Sequence, residues 1–401
     1  MKPSKLQLIY LICLSMLGFV ATDMYLPTFK ELETAFSTGP QQIALSLSVF
    51  LVGMAVGQFL WGLASDKYGS KKTLAAGLVL FALASAGIAF SDSIWQLLAL
   101  RFIQAIGVCA PAVIWQAMII KRYPEKTSQQ LFATIMPLVA LSPALAPQIG
   151  VALSHQWGWQ SIFITLALIG IVLTAATCLQ PTDKISASKS TSTKQDLISL
   201  TRNRVYIGNI LMFAFGSAAF FAYLTGMPEI MTRLGYSAKD IGFSFIPQTA
   251  AFIVGGYMGK KLVNKFGPDL ILKQILALFA VAAIMISIAS QWQLTSIWPV
   301  LAPFCLLAVA NGAMYPIVVN NALSSAKHCA ATAAGLQNSV QISVSSLASA
   351  VVAAFASQAL SATGITILVC MLALLASYVV ATGRSRSTHI DTDNTPLTSE
   401  E

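Results

Sequence analysis

Apolar runs of about twenty residues recur along the chain, separated by short polar segments. They lie near 7–27, 41–63, 73–90, 94–117, 131–153 and 160–179, then near 206–227, 239–259, 271–290, 297–322, 331–355 and 362–382. A helix rises about 1.5 Å per residue, so each run is long enough to cross a hydrocarbon core of roughly 30 Å. The runs are continuous rather than alternating, which argues against a β-barrel. In lipid the helix is then the remaining way to satisfy every backbone N–H and C=O. The pattern predicts an all-α membrane protein with twelve transmembrane helices. The first run is too long for a signal peptide, and it is followed by Tyr25-Leu26-Pro27 rather than a small-residue cleavage site.

Composition supports this class. Of 401 residues 56% are apolar and only 10% charged, where soluble domains carry about 25% charged residues. The Lys and Arg residues settle the orientation. All but Lys30, Arg233, Lys239 and Arg101 fall on one side if the N-terminus is cytoplasmic, which places both termini in the cytoplasm. The net charge of +9 is thereby explained by topology, and the basic residues form no continuous stripe for nucleic acid. Five of the six cysteines lie in or at spans, and Cys329 lies in an inner loop, so no disulfide framework is expected. His155, His328 and His389 are too scattered for a metal site. No Walker A, His-Glu-x-x-His or Cys-x-x-Cys sequence occurs. These readings exclude ATP-driven work and predict neither enzyme activity nor a cofactor.

The spans divide into two sets of six. Residues 1–180 form an N-terminal half and 206–384 a C-terminal half, joined by a Ser- and Lys-rich stretch at 181–205 that reads as a flexible cytoplasmic linker. The polar tail at 385–401 reads as disordered. A weak repeat supports the halves. Lys67-Tyr68-Gly69 follows the second span, and Lys265-Phe266-Gly267 follows the eighth, with Asn264 where the first copy has Asp66. Each preceding span also carries a small-xxx-small pair, Gly53/Gly57 and Gly255/Gly259, of the kind that lets helices pack closely. Repeated halves are the architecture of many secondary transporters, with the site between them.

Several motifs carry a family likeness. Gly62-Leu63-Ala64-Ser65-Asp66-Lys67-Tyr68-Gly69-Ser70-Lys71-Lys72 resembles the loop motif between helices two and three of the major facilitator superfamily. Arg101, Gln104 and Gly107 resemble its fourth-helix pattern, with Ala105 replacing one glycine. Thr22-Asp23-Met24-Tyr25-Leu26-Pro27 resembles the first-helix signature of the Bcr/CflA drug–proton transporters. Phe220 to Gly226 and Asn311 to Val319 are similar to the purine nucleoside transporters of that group. The fifth-helix antiporter pattern is incomplete, because Ala146 and Val151 replace both of its flanking glycines. The resemblance implies the major facilitator fold, a bacterial inner-membrane location and a monomer. It also implies proton-coupled uptake of purine nucleosides, with proton-driven multidrug efflux as the alternative. Gly62, Asp66, Gly69 and Lys71 are implied to gate the conformational change.

Charged groups inside a membrane are costly and mark candidate sites. Asp23 and Arg101 both fall roughly 6–10 Å below the outer surface at about 1.5 Å per residue. They are the proposed proton-coupling pair, weighed against a static salt bridge between two helices. For the substrate, Gln337, Asn338 and Gln341 form a polar stripe on span eleven. Asn311 and Tyr315, Phe220, Phe221 and Tyr223, Trp115 and Gln116, with Gln248 and Tyr25, complete the candidate set. Amides pair with nucleobase edges and rings stack on their faces. For any one of these residues, ordinary interhelical packing is an equal alternative.

Overall fold

The computed structural model describes residues 4–139, 141–180 and 193–383, all of it helix, turn or loop. The first part contains α1 (Lys5–Asp23), α2 (Phe29–Ala35), α3 (Pro40–Tyr68), α4 (Ser70–Ala89), α5 (Ile94–Arg122), α6 (Glu125–Val139), α7 (Ser142–Trp157) and α8 (Gln160–Leu179). The second contains α9 (Thr193–Arg202), α10 (Arg204–Arg233), α11 (Ala238–Phe266), α12 (Pro268–Ala289), α13 (Trp298–Ser324), α14 (Ala330–Ala354) and α15 (Ala359–Thr382).

Among the described residues ten helical segments are long and apolar enough to cross a membrane. Two of the twelve predicted spans fall outside that set for visible reasons. Span 131–153 is broken into α6 and α7, where Ser142-Pro143 opens a new helix. Span 331–355 is the unbroken α14, but Gln337, Asn338, Gln341 and five serines, from Ser339 to Ser349, lower its hydropathy. The linker expectation is corrected in part. Residues 193–202 form α9, which packs against α10, and the rest of the described stretch is the start of α10. Residues 181–192 and the expected tail at 385–401 lie outside the described residues.

The repeat is visible in the packing. Gly53 and Gly57 bring α3 against Ala105 and Cys109 of α5; Gly255 and Gly259 bring α11 against Val309 and Ala313 of α13. Gly69 and Gly267 both take the left-handed backbone, at φ 90° and 84°, which lets each chain turn straight into its next helix. Buried side chains gather into two clusters. One belongs mainly to α1–α8 and takes in residues from α9, α10, α13 and α14; the other belongs to α10–α15.

The basic end of the bundle carries the turn at Gly69 and the ends of α5, α8 and α13. There the two sets of helices meet, α3 and α5 on α14, and α6 on α11 and α13. The approach is close. A Cβ on Gly62 would lie 2.6 Å from the Ala331 carbonyl oxygen, and one on Gly335 2.5 Å from that of Gln58.

Candidate functional site

Arg101 of α5 meets the last turn of α1 at the end opposite the basic one. Arg101 is fully buried. Its guanidinium lies over two rings, with Cζ 4.0 Å from the Tyr25 centroid and 4.1 Å from that of Phe50. Nη1 donates to the Ala21 carbonyl at 3.2 Å and to Gln104 Oε1 at 2.6 Å. Gln104 is turned to present that oxygen because its Nε2 donates to Ser85 Oγ at 2.7 Å. Asp23, two residues beyond Ala21, is half-buried, and its Oδ2 is buried without a hydrogen-bond partner. Among the described residues Asp23 and Arg101 form no ion pair within 4.0 Å. The static salt bridge is not what holds α1 to α5 here.

The basic end carries a latch. Asp66, at the end of α3, takes Lys121 of α5 at 2.8 Å. Its two carboxylate oxygens also accept the N–H groups of Ala331 at 3.4 Å and Thr332 at 2.7 Å. Those N–H groups belong to the first turn of α14, where no intrahelical partner exists and the helix dipole favours an anion. Lys71 donates to the carbonyl of Gln180 at the end of α8, at 2.6 Å. At the related position Asn264 accepts only from Gln130 at 3.4 Å, while Lys260 donates to Thr134 at 2.6 Å.

The candidate substrate residues separate into groups. Gln116 of α5 and Asn338 of α14 meet at 3.4 Å. Gln341 donates to Ser217 at 2.6 Å and Ser345 lies 3.0 Å from the same hydroxyl, so Ser217 of α10 is a polar hub that the sequence reading missed. Nearby, Asn311 donates to the Gly216 carbonyl at 3.0 Å and leaves its own Oδ1 unpaired. Tyr315 packs edge-on against Phe213 and Phe252, and Phe252 continues to Phe220. Gln337 is fully buried with neither amide atom paired, and Gln248 leaves its Oε1 unpaired. Other candidates are used elsewhere. Tyr25 belongs to the Arg101 site, Trp115 packs on Phe132 at 5.5 Å, and Tyr223 stacks on Phe304 at 3.3 Å. Phe221 is exposed at 40%. Among the described residues no cluster of His, Cys, Asp and Glu fits a metal ion.

Comparison with known proteins gives one answer. Residues 11–350 match the model of the family described as Major Facilitator Superfamily. The bicyclomycin resistance protein homolog of Haemophilus influenzae is 24% identical over 93% of this chain and 95% of its own. The MFS-type transporter YdgK of Bacillus subtilis is 30% identical over 78% and 77%. The chloramphenicol resistance protein of Pseudomonas aeruginosa is 28% identical over 79% and 76%. Among solved structures, the E. coli fucose:proton symporter FucP superposes with a TM-score of 0.74 at 18% identity, over 96% of this chain and 99% of that one.

Proposed function

Because the chain belongs to the Major Facilitator Superfamily, and is therefore a multi-pass membrane transporter rather than an enzyme, we propose that it carries a neutral purine nucleoside into a bacterial cell, driven by protons. The carrying observation is the chemistry around Ser217. Hydroxyls and amides of Ser217, Gln341, Ser345 and Asn311 stand beside the rings of Phe213, Tyr315, Phe252 and Phe220, with no charged side chain among them. Amides match the donor and acceptor edges of a purine, hydroxyls match ribose, and rings offer a stacking face. An anionic substrate would call for cations that this set lacks.

A second reading is proton-driven export of lipophilic drugs. The names of the relatives above speak for it, and none of those names speaks for nucleosides. The incomplete antiporter pattern on α7 speaks against it. In either case the two halves rock about the central site. With the basic end cytoplasmic, the latch at Asp66 closes the inner side.

Binding of labelled adenosine to the purified protein, with inosine and tetraphenylphosphonium as competitors, separates the two. The nucleoside reading expects saturable binding displaced by inosine and unaffected by the lipophilic cation. Cation binding with no adenosine binding would put drug export in its place.

A further inference from the structure

Hydrogen bonds from Gln116, Asn338 and Ser339 tie α14 to α5 and α3, across the contact between the two sets of helices. Gln116 Nε2 donates to Asn338 Oδ1 at 3.4 Å, Asn338 Nδ2 to the Ala112 carbonyl at 3.5 Å, and Ser339 Oγ to the Ala55 carbonyl at 3.3 Å. All are long for hydrogen bonds. The bonds that α14 makes to α10 on either side of them are shorter. The Tyr206 hydroxyl donates to the Ala333 carbonyl at 2.7 Å, and Gln341 donates to Ser217 at 2.6 Å. Gln116 is buried, yet its Oε1 has no partner. An amide pair that is stretched and half satisfied is a poor permanent link and a replaceable one.

One helix orders these contacts. From the basic end, α14 presents Thr332 to Asp66, Gly335 to the Gln58 backbone, Asn338 to Gln116 and Gln341 to Ser217. Steps of three residues make each position a surface neighbour of the next, and the run rises about 14 Å in all. Along α14 the Gln116–Asn338 contact therefore lies between the latch and the polar hub at Ser217.

We propose that Gln116 and Asn338 are specificity-determining residues that act as a solute-released tie: the base of a bound nucleoside takes over the amide edges that the pair now gives each other, and only then can α14 leave α5. The proposal rests on the nucleoside reading of the Ser217 hub. Each amide carries a carbonyl and an NH2 group, the acceptor and donor that a purine edge can match. With the base in place, the helices separate and no amide is orphaned. Without it, separation strands both amides before water reaches them, and unpaired buried groups are costly. A lipophilic cation fills space but offers no donor or acceptor in exchange. The tie thus makes opening of the basic end depend on the chemistry of the solute rather than on its bulk.

The test is the distance between spin labels at the exposed positions Lys67 and Lys327, measured at one pH with and without adenosine, beside binding of labelled adenosine to the same preparations. In the wild type adenosine should raise the ratio of open to closed molecules at the basic end about 5- to 150-fold, and tetraphenylphosphonium should leave it unchanged. Gln116→Leu combined with Asn338→Leu replaces both partners by apolar groups and strands neither. Its adenosine binding should be weaker but saturable, with the same label distances with and without adenosine. Asn338→Ala removes one partner and should lose most of the response too, so the result does not hang on the folding of the double variant. Ser339→Ala removes a bond across the same contact that no base replaces; it should open some molecules without ligand and keep the response to adenosine. A full adenosine response in both amide variants would show that the pair merely packs. That result, or opening of the wild type by tetraphenylphosphonium as well, or no response in a wild type that binds adenosine, would overturn the tie and leave the nucleoside reading standing. No adenosine binding to the wild type would overturn both.

Discussion

Gln341 and Ser217 show what a single side chain contributes to this account. Their hydrogen bond joins α14 to α10 at 2.6 Å, and a net hydrogen bond is worth about 0.5–1.5 kcal/mol. If both groups also contact substrate, Gln341→Leu should raise the KM for adenosine about 5- to 30-fold, a loss of about 1–2 kcal/mol, with the melting temperature little changed. Tyr223 should behave in the opposite way. It stacks flat on Phe304 and is fully buried, so Tyr223→Ala should cost about 3–5 kcal/mol of stability through the cavity it leaves, read as a lower melting temperature in detergent. The sequence offered both residues as substrate contacts, because an aromatic at helical spacing reads the same whether it faces a cavity or another ring. It singled out Asp23 and Arg101 because charge in an apolar run is conspicuous. The rings around Arg101 were not legible: Phe50 sits in an apolar helix and gives no sign that it faces a cation.

The proposed gating rests on helix contacts at the basic end. The closest approach of α3 to α14 runs along Gly62 and Gly335, where added side chains meet backbone rather than flexible groups. Gly335→Val should therefore prevent closure of the basic end, leaving spin labels on Lys67 and Lys327 farther apart than in the wild type. Asp66→Asn acts on the same equilibrium through charge. It removes an anion from the first turn of α14 and the ion pair to Lys121, whose side chain is about one-third exposed. The pair is therefore partly screened; the helix end contributes about 0.3–2 kcal/mol, and the closed population should fall about 2- to 30-fold, read from the same label distances. The loop motif was visible in the sequence, and so were the small residues of α3 and α11. The partner of Asp66 was not, since Thr332 lies 266 residues further along and nothing in the local pattern marks the start of α14 as its target. The break between α6 and α7 was hidden for a similar reason. Hydropathy runs on across Ser142-Pro143, although the helix does not.

Among the described residues the helices before and after residues 181–192 meet at the basic end. The all-helical membrane fold was legible in hydropathy, which depends on lipid rather than on detailed packing; the closure at one end was not. The substrate depends on a few polar groups contributed by several helices, and sequence spacing lists such groups without showing which of them meet. Closure at the basic end and the unpaired Asp23 join into one cycle. In the proposed cycle Asp23 loads a proton while the site faces outward, the latch at Asp66 opens, and the proton leaves with the solute on the other side. The most direct test is labelled adenosine uptake into proteoliposomes with and without an inward proton gradient, comparing wild type with Asp23→Asn. The account predicts accumulation above equilibrium only with the gradient, and in Asp23→Asn the loss of that accumulation with counterflow intact. Equal accumulation by Asp23→Asn, or no adenosine uptake by vesicles that do carry a lipophilic cation, would contradict it.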